Sequence, residues 1–416
     1  MPTKTSFPKR FLWGASTAAH QVEGNNHNQW TVWELENAKA KAAQAPFHYS
    51  DYPSWERIKD QATHPSNYVS DKLADHYTRY TEDFDLLQKM NMNSFRFGIE
   101  WARIEPTEGA WNVEAIAHYK EYLAELHRRG IEPVVTLFHF TLPVWFTDKG
   151  GFERRANVKY FERYVEKVMA ELGAYMRLII TINEPEVYTF QSYWLEEWPP
   201  ARRSPYVAWR VMNNVATAHR RAAKHIHKLN RRFKVSIAKN SPYVYPGDNT
   251  LLSRASANVI QYFQDDWIIK KFIRHCDFLG VNYYFTNRVY GTRIHNPDRE
   301  LSDLNWDMHP ADIEFVLERL CRKYKLPILI TENGLADAED HYRKWWLQET
   351  LMALQRAIKG GVKLMGYMHW SLMDNFEWAY GRWPRFGLIA IDYRTGKRTL
   401  RPSAVWFGGV IKKLRS

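Results

Sequence analysis

Leu178-Ile179-Ile180-Thr181-Ile182, followed by Asn183-Glu184-Pro185, is the stretch on which the fold turns. Five aliphatic or β-branched residues in a row read as a strand covered on both faces, and the run stops abruptly in polar residues. The pattern recurs at 327–331, which is followed by Glu332-Asn333-Gly334. Working outward, similar short runs fall at 11–17, 94–101, 133–140, 235–238, 278–284 and 364–370. The longer segments between them carry helical spacing. In 71–90, the residues Leu73, Tyr77, Tyr80, Phe84 and Leu87 recur every three or four positions, with Ser70 placed to cap the start. Ser204-Pro205 offers a cap and a first-turn proline to a helix whose apolar stripe is Val215, Ala218, Ala222, Ile226 and Leu229. From His341 onward Trp345, Trp346, Leu351, Leu354 and Ala357 form another stripe, closed by Gly360-Gly361. Eight β–α repeats without a compositional break predict an α/β fold, a single (β/α)₈ TIM barrel over residues 1–416. An open, doubly wound sheet is the alternative. The surplus length then lies in long βα-loops at 18–69, 185–203, 285–309 and 371–400, on the C-terminal face where barrels build their sites.

Composition narrows the class of protein. Hydrophobic residues are 45% and charged residues 25%, which excludes a disordered or fibrous chain. No run reaches the ~18 consecutive apolar residues of a membrane span. The net charge of +12 raises the question of a polyanion partner. Yet the densest basic stretch, Arg220, Arg221, Lys224, Lys228, Arg231 and Arg232, flanks the apolar stripe just described and reads as a solvated helix face. His219, His225 and His227 read as residues of the same helix. No nucleic-acid partner is expected. Cys276 and Cys321 give neither a disulfide framework nor metal-spaced ligands, so a reducing compartment, the cytoplasm, is expected, with no metal and no cofactor. Lys4, Lys9 and Arg10 before a short apolar run look superficially like a signal peptide, but the run reads as a buried strand. The aromatics are the anomaly: 18 Trp, 24 Tyr and 21 Phe exceed what a core needs, and many fall on the predicted mouth loops.

Glu184 and Glu332 each end an apolar strand beside an asparagine, so both reach one barrel mouth. Strands four and seven face each other across it, leaving room for a substrate between two carboxylates. That arrangement suits cleavage of a glycosidic bond, with one acid protonating the leaving oxygen and one carboxylate attacking the anomeric carbon.

These residues resemble glycoside hydrolase family 1, the β-glucosidase-like enzymes, over nearly the whole chain. The resemblance runs through 11–17 with His20-Gln21-Val22-Glu23-Gly24, Phe95-Arg96-Phe97, 181–185, Asn282-Tyr283-Tyr284, 331–334, 370–378 and Arg385-Phe386-Gly387. It implies a retaining β-glycosidase with Glu332 as nucleophile and Glu184 as general acid/base. Glucose stands first among its sugars, with galactose and fucose open. It further implies that Arg96, Tyr284 and Asn282 support the nucleophile, the cation and the phenol lowering its pKa. Gln21, His139, Asn183, Glu377 and Trp378 would bind sugar hydroxyls, Asn183 the 2-hydroxyl. Trp370 would be the platform under the ring, and Phe386 and Trp306 would line the pocket and its outer end.

Two positions depart from the family pattern. His139-Phe140 stands where His-Trp is common, which removes an indole N–H and puts the choice between epimers in doubt. Glu100 shares the strand parity of Arg96 and is expected in a structural ion pair rather than as a third catalytic acid. The phospho-glycoside branch is disfavoured because the Glu377 carboxylate would repel a phosphate. The thioglucosidase branch lacks the acid/base glutamate that is present here. A non-catalytic sugar-binding barrel would most simply lack a carboxylate, and both are in place. The small-molecule partner is a β-glycoside, and oligomeric state is not legible.

Overall fold

The computed structural model describes residues 7–296 and 300–415; Lys4 lies outside them. Eight parallel strands follow the predicted order: β1 (Leu12–Ser16), β2 (Ser94–Gly98), β3 (Glu132–Thr136), β4 (Leu178–Asn183), β5 (Lys234–Asn240), β6 (Leu279–Tyr283), β7 (Ile328–Asn333) and β8 (Leu364–Trp370). β1 pairs with both β2 and β8, so the sheet closes into a barrel and the open-sheet alternative falls. Leu12, Val134, Leu178, Ile180, Ala238, Leu329 and Met368 cluster apart from the strand–helix core, as the layered side-chain filling of such a barrel requires.

The loops carry more structure than the sequence reading gave them. Residues 18–69 contain a helix, α1 (Gln29–Tyr49), whose start is fixed by Asn28: its side chain accepts from Trp30 N and Thr31 N. Trp30, Ala38, Ala42, Ala45 and Tyr49 are its buried face. The helix expected over 71–90 begins later, as α2 (His76–Lys89). Asp71, Leu73 and Asp75 have φ of 44°, 47° and 55°, so the chain winds left-handed there and cannot be helical. Ser70 is not the cap; its N–H donates to Glu34 Oε2 at 2.7 Å.

The ring of helices continues with α3 (Val113–Arg128), α4 (Val158–Leu172), α5 (Pro185–Tyr193) and α6 (Pro205–Leu229), then α7 (Leu251–Gln261), α8 (Trp267–Phe272), α9 (Ile313–Tyr324), α10 (Arg343–Lys359) and α11 (Pro402–Arg415). Ser204 caps α6 as expected, and Val215, Ala218, Ala222 and Ile226 are buried, but Leu229 at its end is exposed. Arg220, Arg221 and Lys224 face solvent. His219 does not belong with them. It is buried behind β4, hydrogen-bonded to Thr181 Oγ1 at 2.7 Å, and burial pushes its pKa down to about 3. Among the described residues no helix is long and apolar enough to cross a membrane.

Candidate active site

Both glutamate strands lose regular register just before the glutamate. Against β5, β4 slips between Ile180 and Asn183; against β6, β7 slips between Ile330 and Glu332. Such irregularities re-aim side chains, and here they precede the two carboxylates. Glu184 then has φ 37°, a left-handed conformation that costs a non-glycine residue free energy and recurs at functional sites. Pro185 follows at the first position of α5.

A cavity of about 290 Å³ opens over the strand ends. Glu184, Glu332, His139, Asn183, Tyr284, Trp306, Trp370, Glu377, Trp378 and Phe386 all line it. Arg96, Asn282 and Gln21 stand just behind, fully buried. The structure thus brings together every site residue named from the sequence. Val187, Gln191, Trp198, Asn240, Phe285 and Tyr380 also line the cavity and were not anticipated. Val187 and Gln191 lie on α5, Asn240 ends β5, and Trp198, Phe285 and Tyr380 follow α5, β6 and β8, where no strand pattern announces which side chain turns inward.

The two carboxylates sit in opposite settings. Arg96 Nη1 lies 2.5 Å from Glu332 Oε1, and the Tyr284 hydroxyl donates to Glu332 Oε2 at 2.5 Å. Glu184 Oε1 accepts from an amide, Asn282 Nδ2, at 2.7 Å. Asn282 also hydrogen-bonds Glu332, the residue it was expected to support, so its amide serves both carboxylates. Burial drives the Glu184 pKa well above the ordinary carboxylate value, and repulsion from Glu332 and Glu186 adds to it. Burial also raises that of Glu332; Arg96 and Tyr284 oppose the rise without cancelling it. The expected lowering at Glu332 is thus corrected: desolvation outweighs the cation and the phenol together.

The remaining polar groups are held in place. Arg96 Nη2 donates to Asn183 Oδ1 at 2.6 Å, so the Asn183 amide nitrogen must face His139 Nε2, 3.1 Å away. Burial first, and then Arg96, keep the His139 imidazole neutral. Glu377 Oε2 accepts from Asn375 at 2.7 Å, and burial pushes its pKa up to about 8. Gln21 Nε2 donates to the Phe376 carbonyl at 2.6 Å, while its Oε1 has no protein donor.

The two departures resolve differently. Phe140 packs with its ring centroid 5.1 Å from Trp378 and 5.0 Å from Trp198, completing an indole cluster that includes Trp30. Glu100 lies beyond the end of β2 and accepts from Thr141 Oγ1 at 2.8 Å. The ion pair expected for it is not formed among the described residues; burial raises its pKa instead. No group of three or more metal-ligating side chains occurs among the described residues.

The family description "Glycosyl hydrolase family 1" matches residues 3–280 and 269–415. The chain belongs to glycosyl hydrolase family 1. As a member it is a glycoside hydrolase, and its barrel is the family's. It is 29% identical to "Beta-glucosidase A" of Acetivibrio thermocellus over 99% of either chain. Among solved structures it resembles a β-glycosidase from Pyrococcus horikoshii, with a TM-score of 0.87 and 34% identity, covering 100% of this chain and 96% of that one. It also resembles a β-glucosidase from Thermotoga maritima in complex with glucoimidazole, with a TM-score of 0.85, 27% identity, and 98% and 99% coverage.

Proposed function

We propose that the protein is a retaining β-glycosidase that removes the terminal non-reducing β-linked sugar, glucose before galactose or fucose. The observation that carries this reading is the pairing of a carboxylate clamped by a cation and a phenol, Glu332, with an equally buried one, Glu184, that an amide holds and other carboxylates repel, in one cavity. Glu332 is the nucleophile: its anion is the better stabilised of the two. Glu184 is the acid. As Glu332 attacks the anomeric carbon, the Glu184 proton passes to the glycosidic oxygen and the bond to the aglycone breaks. The glycosyl ester has consumed the Glu332 charge, so repulsion on Glu184 falls and it becomes a base toward water. Its proton is then restored as the ester is hydrolysed.

Trp370 serves as platform for the ring, whose axial C–H groups suit an indole face. Asn183, His139, Gln21, Glu377 and Trp378 take the hydroxyls; the unpartnered Gln21 Oε1 and His139 Nδ1 support this use. Phe386 and Trp306, ring centroids 6.2 Å apart, wall the outer end. The glucoimidazole held by the Thermotoga relative supports glucose as first choice. The two free thiols support a cytoplasmic location. The test is Glu332→Gly. Hydrolysis of an activated aryl β-glycoside should vanish, and azide or formate should restore turnover with an α-configured product. Absence of rescue by any small anion would remove Glu332 from its role.

A further inference from the structure

A file of buried charges starts behind Glu184 and ends at solvent. Glu186, two residues on in the first turn of α5, is 6% exposed. Lys239, near the end of β5, is 1% exposed; its Nζ lies 3.0 Å from Glu186 Oε1 and 3.3 Å from Asp265 Oδ1. Asp265 also accepts from Gln261 Nε2 at 2.9 Å and is gripped by Arg319. Asp266 meets Lys323 at 2.7 Å and the Tyr324 hydroxyl at 2.6 Å. Both aspartates come from one π-helical turn, Tyr262–Asp266, a local widening that recurs at functional sites. Burying so many ions beside a barrel is costly where apolar side chains would fill the same space.

The near end of this file grips the segment that carries Glu184. The Glu184 N–H donates at 2.8 Å to the carbonyl of Ala238, the residue before Lys239. Glu186 Oε1 accepts the N–H of Asn240 at 3.0 Å, and Asn240 lines the same cavity as Glu184. We propose that Glu186 and Lys239 are positioning residues: a buried ion pair that fixes the junction of β5 and α5 and sets the pH above which Glu184 ceases to donate a proton. This rests on the acid/base role proposed for Glu184.

The charged and polar groups around Glu184 are Glu332 from β7, Asn282 from β6 and Tyr284 just beyond it, Glu186 from α5 and Lys239 from β5. Beyond them stand Arg96 from β2, His139 from the loop after β3 and Glu377 from the loop after β8. Glu332 and Glu186 repel the ionised form of Glu184, and Lys239 opposes them more weakly than Glu186 acts. Removing the Glu186 charge must then let Glu184 ionise at lower pH.

Glu186→Gln keeps the shape and leaves Lys239 an acceptor. On an alkyl β-glycoside the basic limb of kcat/KM should fall by about one pH unit, with the acidic limb in place. On a dinitrophenyl β-glycoside, whose leaving group needs no proton, the difference from the parent should disappear. A uniform loss at every pH, with the limb unmoved, would reduce the pair to scaffolding and overturn the proposal. The double variant Lys239→Met/Glu186→Met removes both buried charges, so it answers if the single variant does not fold. Its limb should move the same way by less, and an unmoved limb counts against the proposal there too. Glu184→Gln is the control. If it retains the basic limb on the alkyl substrate, the acid/base reading fails and not the ion pair.

Discussion

Arg96 divides its guanidinium among Glu332, Asn183, Thr136 and the Thr331 carbonyl, so one side chain orients both the proposed nucleophile and a proposed sugar contact. Arg96→Met would leave Glu332 buried without its cation. The Glu332 pKa is already raised by burial, and Arg96 is the largest influence opposing it. The proposed mechanism needs Glu332 ionised, so the acidic limb of kcat/KM should move to higher pH in this variant, with folding destabilised by ~3–5 kcal/mol. A limb that stays put would mean that another group sets it. At this scale the sequence was informative about identity and weak about environment. Glu184 and Glu332 were legible because each ends an apolar run in a polar cluster. The net rise at Glu332 was not, because depth of burial is written in no motif. Glu100 failed for a related reason: strand parity placed it in the barrel, but the strand ends at Gly98. Lys239 escaped notice because the apolar run stops at Ala238, whereas β5 continues to Asn240.

Among elements, the contact between the ends of β7 and β8 matters most to the cavity. Gly334 follows Glu332-Asn333, and a Cβ built there would collide with the carbonyl oxygen of Trp370. Gly334→Ala must therefore push Trp370 and the strand that carries Glu332 apart. We expect kcat/KM to fall by at least about tenfold, as misplacement near 1 Å does, and inhibitor binding to weaken with it. Parent-like activity would show that the junction gives way freely. Strand order and the existence of eight β–α units were legible from apolar runs alone. Strand ends were not, because the mouth residues leave regular pairing where function begins, as at Phe140 with φ 69°. The helix inside 18–69 had a readable signal, the alanine-rich run after Asn28, that a search for apolar stripes passes over. The start of α2 had none, since three left-handed residues within five positions follow from packing and not from their types.

For the molecule as a whole, several carboxyls are buried at a cost. The clearest is Glu377, whose pKa rises from 4.5 to about 8. Below the ordinary value both folded and unfolded chains hold this proton, and stability is unaffected. As pH rises toward 8 the unfolded chain releases it first, so the folded state loses ground until the folded group also ionises. Glu377→Gln removes this penalty. The melting temperature of the variant relative to the parent should climb between pH 5 and 8 and then level off, a difference on the order of a few kcal/mol. A pH-independent difference would mean that Glu377 is not held protonated. The described residues close one barrel with structured mouth loops, and nine of the aromatic side chains line its cavity.

Closure of the barrel carries a further consequence, one of time. β1 hydrogen-bonds to β8 as well as to β2, so residues 12–16 gain their second neighbour only after 364–370 have left the ribosome. Until then the growing sheet has a bare parallel edge on each side, the kind that recruits foreign strands. Gln21 likewise meets Phe376 and Glu377 only at that stage. Nearly all of synthesis thus passes without a finished site, and a ribosome that stalls before Leu364 leaves an aggregation-prone fragment rather than a weak enzyme.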